Sequence, residues 1–271
     1  MQHLSVADDE VPAVGLGTWK LEGQTAYGTV KTALSLGYRH IDTAQAYENE
    51  RHVGNAIHDS DVDRDDVFLT TKVRPDRYEP GALKASVRES LHKLDTDYVD
   101  LLLLHWPNPL SDLDATLRAM ADLVDDDAVT HVGVSNFSTD QLKRARARSP
   151  VPIATNQVQF HPFKPQRELL RYCQDNDVVL TAYSPLAHGA VLDDDLLWAI
   201  GRKYDKTPAQ VALRWATQHR GVCVIPKSTS RDHLAENLDI FDFTLDADEV
   251  ERIARPSGLK AAETMLRGML G

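Results

Sequence analysis

The sequence predicts an α/β fold, a (β/α)8 TIM barrel whose bottom is closed by an N-terminal β-hairpin. Eight short apolar runs alternate with polar loops and stretches of helical period, as strands and helices do in parallel barrels. The length of 271 residues is normal for one α/β barrel and sufficient for a full core without disulfides or metals. No low-complexity linker interrupts the chain, so we expect residues 1–271 to form one barrel domain.

The strands are predicted from the apolar runs. They are residues 14–17, 39–42, 67–72, 98–105, 131–134, 153–157, 178–183 and 222–226. The fourth run contains four consecutive leucines, which is typical of a strand buried on both faces. Residues 4–6 and 11–13 flank a turn ahead of the first barrel strand and predict the hairpin.

Helices are predicted between the strands. Residues 25–36 end at Gly37, a residue suited to a left-handed C-cap. Residues 80–94 and 166–176 follow the helical period loosely. Three further helix starts are marked by pairs three residues apart, typical of a capping box. These pairs are Ser138 with Gln141, Thr207 with Gln210, and Asp246 with Glu249.

A doubly wound sheet is the alternative architecture for alternating strands and helices. Its dinucleotide-binding fingerprint, Gly-x-Gly-x-x-Gly, should follow the first strand. Here Gly15-Leu16-Gly17 continues as Thr18-Trp19-Lys20, so the third glycine is missing. Two glycines alone are a weak signal, and the barrel remains the prediction.

The composition predicts an acidic surface. Acidic residues number 41 against 30 basic ones, a net charge of −11, and a negatively charged chain is not expected to bind nucleic acid. Asp supplies 30 of the acids, whereas Lys supplies only 11 of the bases. This imbalance indicates a halophilic surface, adapted to high salt. An acidic enzyme without such adaptation is the alternative.

The sequence also predicts where the protein works. No segment approaches the roughly 20 apolar residues of a membrane span, and residues 1–10 are too polar and acidic for a secretory signal. We therefore expect a cytoplasmic protein without membrane contact. Cys173 and Cys223 stand in apolar surroundings, which favours buried free thiols.

Polar or aromatic residues follow the predicted strands at the same end. Functional groups of an α/β barrel gather at this C-terminal rim, so these residues are predicted to converge. They are Thr18-Trp19, Asp42, Lys72, His105-Trp106, Ser135-Asn136, Gln157, Tyr183-Ser184 and Lys227-Ser228. Tyr47 follows Asp42 by five residues and joins the same set.

Four of these groups fit the reduction of a carbonyl. Tyr47 is the predicted proton donor, and because tyrosine has an ordinary pKa of about 10, we expect the Lys72 ammonium to lower it. Asp42 is expected to hold Lys72 in its charged form. His105 is expected to orient and polarise the carbonyl. For each group alone an ordinary structural role is the alternative, such as a helix cap or a surface lysine.

The same residues lie in motifs that resemble the aldo-keto reductase superfamily. Residues 37–50 resemble the first signature of that family, with the sequence Gly-Tyr-Arg-His-Ile-Asp-Thr-Ala-Gln-Ala-Tyr-Glu-Asn-Glu. The stretches Leu-Leu-His-Trp-Pro at 103–107, Gly-Val-Ser-Asn-Phe at 133–137 and Ile-Pro-Lys-Ser at 225–228 resemble later motifs. The likeness covers about residues 14–245 and is greatest to the short-looped prokaryotic branch, the 2,5-diketo-gluconate reductase-like members, which reduce keto sugars and 2-oxoaldehydes.

The resemblance implies NADPH as cofactor and a small-molecule carbonyl substrate. We also expect a monomer, since many barrels of this length can stand alone. The resemblance also implies cofactor contacts from Thr18, Asp42, Ser135, Asn136, Gln157, Tyr183, Ser184, Leu186, Lys227, Ser228, Thr229, His233, Glu236 and Asn237. By the same likeness, Ser135, Asn136 and Gln157 hold the carboxamide and Tyr183 stacks on the nicotinamide. Trp19 and Trp106 line the substrate pocket beside Tyr47 and His105.

One position departs from the family pattern. The family carries arginine five residues after the serine of Ile-Pro-Lys-Ser, where this chain has His233. Arginine binds phosphate with a permanently charged fork, whereas histidine is mostly neutral at pH 7. We therefore expect weaker selection for the 2′-phosphate and use of NADH beside NADPH, although Arg231 could compensate.

The C-terminal segment has two interpretations. Residues 256–271 form either a short substrate loop or a last helix.

Three other classes of protein remain as alternatives, and one of them is a structural protein that binds no ligand. A non-catalytic nicotinamide-binding member of this fold should lack one of the four reacting groups, and all four are present. A metal-dependent barrel hydrolase should pair histidines at a strand end, and the sequence shows no such pairing. No metal is therefore predicted.

Overall fold

Eight parallel strands form the centre of the protein, and the first of them meets the last. The structure is a computed structural model that describes residues 2–6, 9–254 and 266–267. Neighbouring strands of this sheet follow each other in chain order. A parallel bridge joins Val14 to Val224, where Gly15 N donates to Val224 O over 2.8 Å. The sheet is therefore closed into the predicted TIM barrel.

The bounds of the elements are as follows. The strands are β1 His3–Val6, β2 Asp9–Pro12, β3 Leu16–Gly17, β4 His40–Asp42, β5 Phe68–Val73, β6 Val99–Leu104, β7 Val129–Ser135, β8 Ile153–Gln159, β9 Val179–Tyr183 and β10 Val222–Val224. The helices are α1 Gly23–Ser35, α2 Glu50–His58, α3 Pro80–Leu94, α4 Leu113–Asp125, α5 Thr139–Arg148, α6 Arg167–Asp175, α7 Asp195–Tyr204, α8 Pro208–Thr217, α9 Arg231–Leu238 and α10 Ala247–Ile253.

Most predicted bounds are confirmed to within one or two residues. The last strand is shorter than predicted and ends at Val224, because Pro226 has no N–H to donate to a ladder. Its carbonyl still accepts a hydrogen bond from Gly17 N at 3.2 Å. All three capping boxes are present, and Gly37 ends the first helix with a φ of 102°.

The four leucines of β6 divide between two cores. Leu102 and Leu104 belong to the large core between the sheet and the helices. Leu101 and Leu103 point into the barrel, where they pack with Phe68 and Cys223. This alternation follows from the two-residue period of a strand and confirms that β6 is buried on both faces.

The N-terminal hairpin closes the bottom of the barrel, as predicted. β1 and β2 pair antiparallel, and Val6 and Val11 pack into the inner core with Leu101. Cys173 and Cys223 are buried free thiols. No helix among the described residues is long and apolar enough to cross a bilayer. The alternatives for residues 256–271 fall outside the described residues, except at 266–267.

Candidate active site

The candidate active site lies at the C-terminal rim of the barrel. Asp42 is the last residue of β4, and a 3-10 turn at Gln45–Tyr47 carries Tyr47. Lys72 lies near the end of β5, and His105 directly follows β6. Four side chains from three separate segments of the chain are thereby brought to one rim, as the sequence predicts.

Strand geometry directs Lys72 into the barrel. Its neighbour Thr71 faces the other way, and its hydroxyl donates to Glu50 Oε1 on α2 at 2.7 Å. Because successive side chains of a strand point to opposite faces, Lys72 faces the barrel interior. It is fully buried there, with an exposed fraction of 0%.

The Lys72 ammonium has three oxygen partners. Its Nζ lies 2.6 Å from Asp42 Oδ1, 2.8 Å from Thr43 O and 3.4 Å from Tyr47 Oη. Burial lowers the pKa of Lys72, but Asp42 and Tyr47 raise it by more, so the amine is held in its charged form. A buried charge that is paired and hydrogen-bonded in this way is a stable feature of the site.

The pKa of Tyr47 corrects one expectation. Burial raises this pKa more than the Lys72 ammonium lowers it, so the net direction is upward, against the predicted fall. The phenol is therefore protonated at neutral pH, as a proton donor must be. The Lys72 charge still stabilises the phenolate relative to a phenol buried without a neighbouring cation.

His105 is a neutral imidazole beside Tyr47. Burial lowers its pKa to about 3, with a further contribution from the Lys72 charge. The two rings meet edge to face, with centroids 5.6 Å apart. One N–H and one lone pair are therefore available on the imidazole near neutral pH.

A second polar cluster adjoins the first and contains Ser135, Asn136, Gln157 and Tyr183. Asn136 Oδ1 accepts from Tyr183 Oη at 2.9 Å, and its Nδ2 donates to Ser135 Oγ at 3.0 Å. Ser135 Oγ donates in turn to Gln157 O at 2.9 Å. The Gln157 amide then donates to Asp42 Oδ2 at 2.7 Å, which joins this cluster to the reacting groups.

Other predicted contact residues occupy the rim around these clusters. The backbone N and the hydroxyl of Thr18 both donate to Asp42 O at 3.0 Å. These two hydrogen bonds fix the end of β4. Trp19 and Trp106 are exposed by 40% and 50%, as expected for walls of an open pocket. Ser184 and Leu186 lie half-buried in the loop after β9.

The predicted adenosine side of the site follows β10. Lys227, Thr229 and His233 are exposed, and Ser228 is half-buried. Ser230 caps α9, and its hydroxyl accepts a hydrogen bond from the backbone N of His233.

Arg231 and the two last predicted contacts lie on α9 itself. The Arg231 guanidinium donates to Ser35 Oγ on α1 at 3.3 Å. Glu236 is half-buried, whereas Asn237 is buried and hydrogen-bonds to Tyr38.

Three residues at the rim were missed by the sequence analysis. The ring of His188 lies 6.1 Å from that of Trp19, and Lys20 Nζ lies 4.7 Å from the Trp19 ring. Asn49 is buried between the loop of Trp19 and the turn of Tyr47. Asn49 stands inside the quoted signature, but nothing in its spacing indicates these partners.

One cavity lies away from the rim. A cavity of about 590 Å³ at the opposite end of the barrel is lined by acidic residues and two histidines, among them Asp9, Asp100 and His131. Within the described ranges no group of three or more His, Cys, Asp or Glu side chains could hold a metal. The four groups suited to carbonyl reduction lie at the rim and not among the residues that line this cavity.

The fold and the rim residues together define a barrel oxidoreductase that acts on carbonyl groups. Comparison with known proteins agrees, since the model of the Aldo/keto reductase family matches residues 13–256. The chain belongs to the aldo/keto reductase family.

Several relatives are similar over nearly their whole length. Methylglyoxal reductase DkgB of Escherichia coli O157:H7 is 40% identical over 90% of this chain and 92% of its own. Glyoxal reductase of Bacillus subtilis (strain 168) is 42% identical over 90% and 88%. A crystal structure assigned provisionally as a 2,5-diketo-D-gluconic acid reductase B superposes with a TM-score of 0.92, at 44% identity over 95% and 93%. The predicted family and branch are thereby confirmed.

Proposed function

We propose that the protein reduces small carbonyl compounds, 2-oxoaldehydes in particular, with NADPH as cofactor and Tyr47 as proton donor. The observation that carries this proposal is the position of the Lys72 ammonium, 2.6 Å from Asp42 and 3.4 Å from Tyr47 Oη. The substrate class is supported by the names of the methylglyoxal and glyoxal reductases to which the chain is similar.

The second polar cluster fits a nicotinamide carboxamide. Ser135, Asn136 and Gln157 bring hydroxyl and amide groups together, the kinds of group that pair with a carboxamide. Tyr183, held by Asn136, would stack on the ring. Other contacts would come from Thr18, Ser184, Leu186, Lys227, Ser228, Thr229, His233, Glu236 and Asn237. The reduced cofactor, when bound, supplies a hydride to the carbonyl carbon and is oxidised by two electrons.

The chain itself supplies the proton and the orientation. The neutral His105 donates a hydrogen bond to the carbonyl oxygen and polarises the C=O bond. Tyr47 then gives its hydroxyl proton to that oxygen, so the product is an alcohol and the phenol becomes a phenolate. Lys72 stabilises the phenolate, and Asp42 keeps Lys72 charged. The phenol is restored by a proton from solvent.

Tyr47→Phe tests the proposal. NADPH oxidation with methylglyoxal should slow by about 10²–10⁴-fold, the usual contribution of general acid catalysis. Tyr27→Phe is the matched control, because Tyr27 Oη donates to Asp59 Oδ2 on the exterior, and its turnover should stay unchanged. Undiminished turnover in Tyr47→Phe would show that Tyr47 is not the acid.

A further inference from the structure

Asn49 connects the segment that follows Asp42 to the loop that carries Trp19. It is buried, with an exposed fraction of 1%. Its Oδ1 accepts from Thr43 Oγ1 at 2.7 Å, and its Nδ2 donates to Thr18 O and Leu21 O, both at 2.9 Å. The amide nitrogen of Asn49 therefore donates to two carbonyls of one loop, and the amide oxygen accepts from Thr43, which follows β4.

The Thr43 side of this network leads to Lys72. The carbonyl of Thr43 accepts from Lys72 Nζ at 2.8 Å, and its backbone N donates to Thr70 O at 2.9 Å. Thr43 thus supplies one of the three oxygens around the ammonium. Because its hydroxyl is tied to Asn49, a shift of Asn49 would move that oxygen as well.

The other side of the network leads to Trp19. Thr18 and Leu21 flank the exposed Trp19 in the loop between β3 and α1. Two backbone carbonyls of this loop are held by the single amide of Asn49. Asn49 therefore holds both the Trp19 loop and Thr43, the residue whose carbonyl binds Lys72.

Asn49 lies two residues after Tyr47 and directly precedes α2. Between them Glu48 adopts a left-handed φ of 56°, where the 3-10 turn stops. On the outer side the turn borders a cavity of about 400 Å³, lined among others by Gln45 and Glu48. Gln45 bridges this side through hydrogen bonds to Ser86 and Ser90. The turn is therefore held on its outer side by Gln45, and Asn49 is the buried side chain next to its inner end.

We propose that Asn49 is a positioning residue that sets the separation of Tyr47 and Lys72 and, through the same amide, the place of the Trp19 loop. This inference rests on the proposed role of Tyr47 as proton donor. Loss of Asn49 should therefore affect both turnover and substrate binding, whereas loss of its link to Thr43 alone should affect turnover only.

Two variants separate these effects, with methylglyoxal as substrate. Thr43→Val is nearly isosteric and removes only the hydroxyl link. It should lower kcat by about tenfold with little change in KM, since small misplacements of reacting groups are costly. Asn49→Ala should lower kcat by about tenfold to a hundredfold and also raise KM.

Asn176→Ala is the control. The Asn176 amide also bridges two elements, since it accepts from Arg146 and donates to Tyr172 O, but it lies outside the rim.

The pH dependence of kcat distinguishes positioning from stability. A looser Lys72 stabilises the phenolate less, so the alkaline limb of the profile should move to higher pH in Thr43→Val and Asn49→Ala. The control should lose thermal stability without any such shift. If Asn49→Ala does not fold, Thr43→Val decides the question.

Parallel measurement of Tyr47→Phe separates the two proposals. If Tyr47→Phe is inactive while Thr43→Val and any folded Asn49→Ala keep the wild-type kcat and pH profile, the positioning role of Asn49 is wrong and the proposed function stands. If Tyr47→Phe keeps full turnover, the proposed function itself is wrong.

Discussion

Gln157 Nε2 donates to the oxygen of Asp42 that Lys72 leaves free, over 2.7 Å, so both oxygens of this carboxylate are bound. The carboxylate cannot turn without breaking one of the two contacts. Gln157 also belongs to the cluster proposed to hold the carboxamide. One hydrogen bond therefore links the orientation of the ion pair to the cofactor side of the site.

Replacing Asp42 should disable the ion pair. In Asp42→Asn the buried Lys72 has no countercharge, and burial then lowers the pKa of the amine. We expect the variant to lose at least a hundredfold in kcat, and breaking a buried pair costs about 3–5 kcal/mol of stability. Asp100→Asn is the control, because it breaks the half-buried Arg64–Asp100 pair. It should keep its kcat, and an active Asp42→Asn would contradict the assignment of the pair.

Buried neutral histidines should make the fold sensitive to acid. Burial lowers the pKa of His161 to about 3, against an ordinary histidine value of about 6.5. The unfolded chain therefore binds this proton below pH 6.5, while the folded chain does not until about pH 3. The stabilisation is full above pH 6.5 and is lost as the pH falls, by about 1.4 kcal/mol per pH unit.

Urea unfolding at several pH values measures this effect. His161→Asn should show a free energy of unfolding that depends less steeply on pH between about 6 and 4. The exposed His92→Asn is the control and should keep the wild-type slope. Equal slopes in all three proteins would contradict the prediction for His161.

Cofactor choice should respond to position 233. The structure places Arg231 on Ser35 of α1, so this arginine is not directed at the cofactor by its observed contact. We therefore expect the protein to use NADH beside NADPH, and His233→Arg to raise the preference for NADPH by about tenfold, because arginine binds phosphate as a rigid fork. Arg231→Ala should leave the preference unchanged. Steady-state constants with both cofactors test this, and a several-hundredfold wild-type preference for NADPH would refute it.

The charge of the surface predicts a response to salt. With 30 Asp and only 11 Lys, a net charge of −11 leaves repulsion that dissolved ions screen. The melting temperature is expected to rise with potassium chloride up to molar concentration. Sucrose at matched viscosity is the control for effects other than ionic screening. A flat or falling curve would oppose a halophilic surface.

The fold was predictable because its signal repeats eight times. Each apolar run gave the position of a strand, and the four leucines of β6 even indicated burial on both faces. Among the bounds that were predicted, the errors lie at element ends such as Pro226, where a missing N–H rather than hydrophobicity decides. The rim residues were predictable for a related reason, since strand ends of a closed barrel must meet.

Burial and long-range contacts were not predictable. The pKa of Tyr47 depends on which side chains cover the phenol, and no local pattern reports that balance between burial and the Lys72 charge. Asn49 was missed because its partners Thr18 and Leu21 are 31 and 28 residues away. A signature can identify such a residue without indicating what it touches.

The bridge between Val14 and Val224 has a consequence for synthesis of the chain. The first barrel strand gains its second neighbour only when residue 224 has left the ribosome. Until then β3 exposes an unpaired edge, and such edges can pair with other chains and aggregate. Premature termination before β10 should therefore yield insoluble, aggregating fragments. In the closed barrel, β3 and β10 have no such unpaired edge.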